Sequence, residues 1–192
     1  LMDLAGPNIE KPTVSYEIKN IGSAFEAGIG YISKDRDKET LITAATIKEN
    51  ICLSAHELLK VFGVIPAVRE TEFAQEQVEG LKIKCSSPNQ LVRELSGGNK
   101  QKVSFGKWIG NRSKILVLDS PTRGVDVGVK TTMYQLLYEL KKQNYAILII
   151  SEEMPELIGM SDRLLVMKNG EITKEFVRNE NLRDTDVIDY MI

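Results

Sequence analysis

Apolar positions change their spacing several times along the chain, and each change predicts an element. Residues 23–28, Ser-Ala-Phe-Glu-Ala-Gly, have the look of a short helix stopped by glycine. Ile29-Gly30-Tyr31-Ile32-Ser33 is β-branched and aromatic and reads as a strand, closed by a charged run at 34–38. From Thr46 to about Glu94 the apolar spacing becomes helical, punctuated by Gly63, Pro66 and Pro88. This stretch predicts a helical lobe inserted into a sheet-based domain. After Asn99 the pattern alternates: a helix at 100–110, the apolar strand Ile115-Leu116-Val117-Leu118, a long helix at about 127–143, and a second apolar strand at 146–150. A short helix at 155–160 follows, with Pro155 in its first turn. Two further strands, 163–167 and 171–176, flank Lys168-Asn169-Gly170, a hairpin signal. A last helix is expected at 184–191. Leu1 to Ala5 reads as the tail of a helix ending at Gly6-Pro7.

The predicted class is α/β. It has a mostly parallel sheet, covered by helices on both faces because its strands are apolar without alternation. One domain is expected, with residues 1–45 a partial core, 46–94 the helical lobe, and 95–192 the rest of the core.

Composition narrows the function. The chain has 192 residues, is 42% hydrophobic and 27% charged, and carries a formal charge of −2. That balance suits a globular domain rather than a disordered one. It offers no global basic field, so nucleic acid is not expected as a partner. The longest apolar run is only five residues, far short of the roughly 20 that span a bilayer. Cys52 and Cys85 have no CxxC spacing and read as reduced thiols rather than a disulfide. The lone His56 reads as a helix-surface residue, and Trp108 as packing on a core helix.

Two segments carry chemistry. In Leu95-Ser96-Gly97-Gly98-Asn99-Lys100-Gln101-Lys102 two glycines and two polar side chains stand at the start of a helix. Unshielded N–H groups at that positive end suit a phosphate oxygen, although a lone Ser-Gly-Gly equally describes an ordinary N-cap. Asp119 ends the apolar strand that begins at Ile115, the place of a Mg²⁺–phosphate carboxylate, although a helix N-cap uses the same residue. The order Ser-Gly-Gly turn, helix, apolar strand, aspartate makes the pair a joint signal.

These phrases resemble the nucleotide-binding cassette of ATP-binding-cassette transporters over nearly the whole chain. Residues 95–99 resemble the family's signature, 115–119 its Walker B strand, Val125-Asp126 the loop that contacts the other cassette, and 150–153 the switch segment. Tyr31-Ile32-Ser33-Lys34-Asp35-Arg36, Pro121-Thr122-Arg123-Gly124-Val125-Asp126 and Ser151-Glu152-Glu153-Met154-Pro155-Glu156 resemble one branch more closely. That branch imports simple sugars such as ribose, galactose and xylose into bacteria, with two cassettes fused in one chain. The phrases look like the second.

The resemblance implies a P-loop-type fold, ATP and Mg²⁺ as cofactors, and a weak Mg²⁺ site at Asp119. It implies partnership with an N-terminal cassette, a transmembrane permease and, indirectly, a sugar-binding protein. The place implied is cytoplasmic, peripheral on the inner face of the membrane. Ser96, Gly97, Gly98 and Asn99 would face ATP held by the partner cassette, and Asp126 would lie at the cassette interface.

Three departures imply no hydrolysis at this chain's own site. No G-x-x-x-x-G-K-[ST] occurs in these residues, so the resemblance implies a chain that begins after the phosphate loop. Ser120 stands where an active cassette has a glutamate base, and a serine cannot take that proton at neutral pH. Glu152 stands at the switch-histidine position, where it would repel a γ-phosphate. Lys34 takes the place of the glutamine that couples to the membrane subunit. The alternatives are a soluble cassette ATPase of DNA repair or translation, which the lack of long heptads disfavours, and a stand-alone active ATPase.

Overall fold

The structure is a computed structural model that describes residues 2–3, 17–111, 113–178 and 182–191. Six strands form its sheet: β1 (Met2–Asp3), β2 (Ile29–Ile32), β3 (Ile115–Asp119), β4 (Ala146–Ile150), β5 (Arg163–Lys168) and β6 (Glu171–Val177). Their spatial order is β2-β3-β4-β1-β5-β6. β2, β3 and β4 run parallel, with Ile32 beside Leu118 and Asp119 beside Ile150. The carboxyl ends of these three strands therefore stand together, with β3 in the middle. β5 and β6 form the antiparallel hairpin that Asn169-Gly170 predicts. Both turn residues have positive φ, 52° and 86°, as a tight turn matched to strand twist requires.

The helices are α1 (Ile21–Glu26), α2 (Ile47–Cys52), α3 (His56–Leu59), α4 (Ala67–Gly80), α5 (Gly97–Ile109), α6 (Val127–Lys142), α7 (Met154–Met160) and α8 (Asp184–Ile188). Local chemistry sets their ends. Asn20 caps α1 through the Ser23 N–H, and Gly28 (φ 74°) turns the chain into β2. Thr46 and Glu49 form a capping box on α2. α5 starts three residues before the expected position, because Gly97 and Gly98 already lie in its first turn.

Two apolar clusters dominate. Ile32, Leu116, Leu118, Ile147 and Ile149 of the sheet pack with Phe105 of α5, Met133 and Leu137 of α6, Leu157 of α7 and Val187 of α8. The residues between 41 and 95 build another around Ile47, Ile51, Val78 and Val92, joined to α5 by Val103. α5 thus bridges both clusters.

The expected sheet with flanking helices is present, and the alternate residues Ile32, Leu116, Leu118, Ile147 and Ile149 face the described core helices. One expectation is corrected. The predicted helical tail at the start is not found where the chain is described. Met2–Asp3 is a strand, paired antiparallel on one side with Leu148 and Ile149 and on the other with Arg163 and Leu164. Hydrogen bonding on both flanks outweighs the marginal stability of a helical turn that short. Leu1 and residues 4–16 lie outside the described residues. Among the described residues no helix is long and apolar enough to cross a membrane.

Candidate functional site

Chemistry-bearing residues gather in two places, the first turn of α5 and the carboxyl ends of β2, β3 and β4. In the first, Ser96 is the N-cap of α5 with φ −63° and ψ 156°, but its side chain caps no backbone N–H. The leading amides of a helix have no partner within it, so Gly97, Gly98 and Asn99 present their N–H groups at its positive end. The two glycines differ in how much room a side chain would have. A Cβ on Gly98 would lie 2.6 Å from Cγ2 of Val129 on α6, whereas one on Gly97 would meet the Arg36 guanidinium at 3.1 Å and the Gly124 carbonyl only at an ordinary 3.8 Å.

The Asn99 side chain is engaged within the chain. Its Oδ1 accepts the Lys84 N–H at 2.8 Å, and its Nδ2 donates to Ser96 Oγ at 2.9 Å. Ser96 Oγ keeps its own proton to donate and is exposed. An open cleft of about 280 Å³ beside this turn is lined by Ser96, Gly98, Asn99, Lys84, Lys102 and Asp126. Burial, with Lys84 and Lys82 nearby, holds the Lys102 ammonium below the usual lysine range. Asp126, expected at an interface between cassettes, caps α6 by accepting the Val129 N–H at 2.9 Å.

The second region is organised by Asp119 and Ser120. Ser120 has φ 48°, a left-handed backbone uncommon for serine, and its N–H donates to the Ile150 carbonyl at 2.7 Å. That bond continues the β3–β4 pairing past the end of the strand. Its Oγ donates to Asp119 Oδ1 at 3.2 Å. One carboxylate on a strand end fits a Mg²⁺ that keeps its waters and arrives on phosphate oxygens, since that ion uses only one or two protein carboxylates. It does not fit an all-protein metal cage, and the described residues hold no group of three acid, His or Cys side chains.

Lys34 and Glu152, placed by the sequence at separate family positions, touch. The Lys34 ammonium donates to Glu152 Oε1 at 2.7 Å, across the end of β3. This bond holds the Glu152 carboxyl below the usual carboxylate range, with Arg123 adding to the effect. The negative charge expected at Glu152 is thus paired inside the chain with the positive charge of Lys34. An exposed pair of this kind is worth about 0–1 kcal/mol.

Sequence reasoning missed several residues here. Glu156 is 6% exposed and accepts from Thr122 Oγ1 at 2.8 Å and Ser151 Oγ at 2.7 Å, tying the loops after β3 and β4 to α7. Its place in the first turn of α7 was the available signal. Arg36 Nη1 donates to the Arg123 carbonyl at 3.3 Å and lies 3.4 Å from Gln101 Oε1 of α5. Lys130 pairs with Glu153 in the same area. The bland expectations hold: Cys52 and Cys85 are free thiols, His56 is exposed, and Trp108 packs edge-on to Phe25 and beneath Gly30.

The chain is similar in sequence and fold to known proteins. The ABC transporter family model matches residues 7–123. The chain is 44% identical over 165 residues to the ribose import ATP-binding protein of Caldanaerobacter subterraneus, covering 85% of this chain and 33% of that protein. It is 43% identical over 164 residues to the xylose import ATP-binding protein of Geobacillus kaustophilus, covering 85% of this chain and 32% of that one. The chain thus spans about a third of the length of these relatives. Among solved structures, the ADP conformation of the cassette MJ1267 aligns with a TM-score of 0.71 at 24% identity, covering 90% of this chain and 71% of that one. The post-hydrolysis dimer of the cassette MJ0796, bound to ADP and Pi, aligns with a TM-score of 0.69 at 20% identity, covering 85% and 69%. At those identities the likeness shows the fold. With the family model matching more than half of its length, the chain belongs to the ABC transporter family.

Proposed function

We propose that this chain is the second, non-hydrolysing cassette of the ATP-binding subunit of a bacterial simple-sugar importer. Its task is to present Ser96, Gly97 and Gly98 to ATP held by a partner cassette. One observation carries the reading: the α5 first turn keeps its free amides and a donating serine, while Ser120 stands beside Asp119 in place of a carboxylate base. The donors suit the charge on transferring phosphoryl oxygens, whereas a serine offers no general base.

In this reading residues 1–45 and 95–192 form the core and 46–94 the lobe that faces a transmembrane permease. The partner cassette is the N-terminal half of the same full-length chain, a sugar-binding protein acts upstream, and the work is done on the cytoplasmic face of the membrane. ATP and Mg²⁺ are the cofactors of the complete subunit. Here Asp119 would be the carboxylate toward a phosphate-borne Mg²⁺, and that ion would neutralise phosphate charge when bound. The importer reading rests on relatives that are ribose and xylose import proteins, and it is preferred to a soluble ATPase for that reason.

The test is Ser96→Arg in the full-length subunit reconstituted with its permease. A bulky cation in the donor turn should lower ATP turnover at least about 100-fold, the scale of losing an aligned donor. Unchanged turnover overturns the signature-supplying role.

A further inference from the structure

Lys34 and Glu152 are separated by 118 residues, yet their contact is one link of a continuous chain of contacts. Beyond Lys34 the backbone forms a single wide helical turn, Arg36–Thr40, that lies along α5. Three bonds fasten it there. Arg36 reaches Gln101, Asp37 accepts from the Lys100 ammonium at 2.9 Å, and the Lys107 ammonium donates to the Thr40 carbonyl at 3.1 Å. Gln101 and Lys100 belong to the first turns of α5, separated from Ser96, Gly97 and Gly98 by Asn99 alone. Arg36 also holds the carbonyl of Arg123, whose own positive charge acts on Glu152. The end of β4, the end of β2, the loop after β3 and the start of α5 are thus joined in a ring.

We propose that the Lys34–Glu152 ion pair is a positioning strap that holds residues 34–40 on α5. It thereby fixes the attitude of the Ser96–Gly97–Gly98 turn without help from nucleotide in this chain's own site. The proposal rests on the signature-supplying reading and adds to it the means by which the donor turn is held ready. The chemistry of the pair suits that use. A lysine has the length to cross the end of β3, and its side chain here is only 33% exposed, so its stem is largely fixed. Glu152 is 85% exposed, so the bond is open to competing ions and weakens as salt rises. With both charges joined, the strap requires no third partner.

Amide hydrogen exchange on this chain tests it, in the parent and in Lys34→Gln, Glu152→Gln and the double variant. Each single variant should speed exchange by about two- to fivefold in residues 34–40 and also at Lys100 and Gln101, the first hydrogen-bonded amides of α5, the range an exposed pair allows. The double variant should add nothing further, since one interaction cannot be lost twice. The parent in about 1 M salt should resemble the single variants. The β5–β6 hairpin serves as the unchanged reference. Faster exchange confined to residues 34–40, or effects of the two single changes that add, overturns the strap. Such a result leaves the donor role intact, because Ser96→Arg tests that separately.

Discussion

The first turn of α5 and the strand ends around Asp119 lie close together in one fold, yet they have treated their polar groups in opposite ways. At the α5 turn the leading amides have no partner within the helix and Ser96 Oγ keeps a proton to donate, an arrangement that suits an anion. At the strand ends the charges are already matched inside the chain: Lys34 with Glu152, Lys130 with Glu153, and Glu156 with two hydroxyls. In the proposed reading one region is finished by a partner, while the other is already finished within the chain. A site whose charges are internally satisfied has less to offer a phosphate, whichever residues it has lost.

Three tests sharpen that contrast, in falling order of effect. Removing the buried carboxylate at the self-contained end, Glu156→Ala, strips Thr122 and Ser151 of their acceptor. It should cost about 2–3 kcal/mol in denaturant unfolding, the scale of hydrogen bonds to a charged group. A loss below the error of the melt would show that Glu156 does not hold the two loops.

At the open end the two neighbouring glycines should respond differently. Gly98→Ala forces a methyl within 2.6 Å of Val129 and should destabilise by about 1–2 kcal/mol, overpacking outweighing the gain in helix propensity. Gly97→Ala is tight only against the movable end of Arg36 and should change the melting temperature little. Equal effects at the two positions would contradict the packing described.

The smallest effect concerns the tether between the donor turn and the chain around Lys84. Asn99→Ala frees the Lys84 N–H, and the neighbouring Cys85 thiol, pushed up by burial, should label about two- to threefold faster as the segment loosens. Cys52 is the internal control, because burial pushes its thiol up to about 11. The native state keeps that proton longer than the unfolded chain does. This group's contribution to stability is therefore full below pH 9 and lost as pH rises towards about 11. Faster labelling of both cysteines would mean general unfolding instead.

Much of this arrangement was legible in the residues. The strand ending at Asp119, the helix after Ser96 and the Asn169-Gly170 hairpin all follow from local patterning, where spacing and turn chemistry act within a few residues. What escaped depends on which strands become neighbours. Nothing near Lys34 announces Glu152. They meet because β2 and β4 flank β3 in register, a fact of topology. Thr122 and Glu156 lie 34 residues apart and meet for the same kind of reason. The strand at Met2–Asp3 was misread as helix because its only support is the pair of strands on either side of it. Asn99 was correctly marked as a polar residue of the turn, but its engagement with Lys84 required the fold.

The central claim is that this chain serves a partner's site and does not hydrolyse ATP at its own. Steady-state phosphate release by the reconstituted full-length transporter tests it most directly, with Asp119→Ala, Ser120→Ala and Ser120→Glu measured beside the parent. The account predicts turnover within a few-fold of the parent in all three. It predicts no gain from the restored glutamate, although a working general base contributes roughly 10²–10⁴ in rate and would be plain to see. A hundred-fold loss in Asp119→Ala would contradict it.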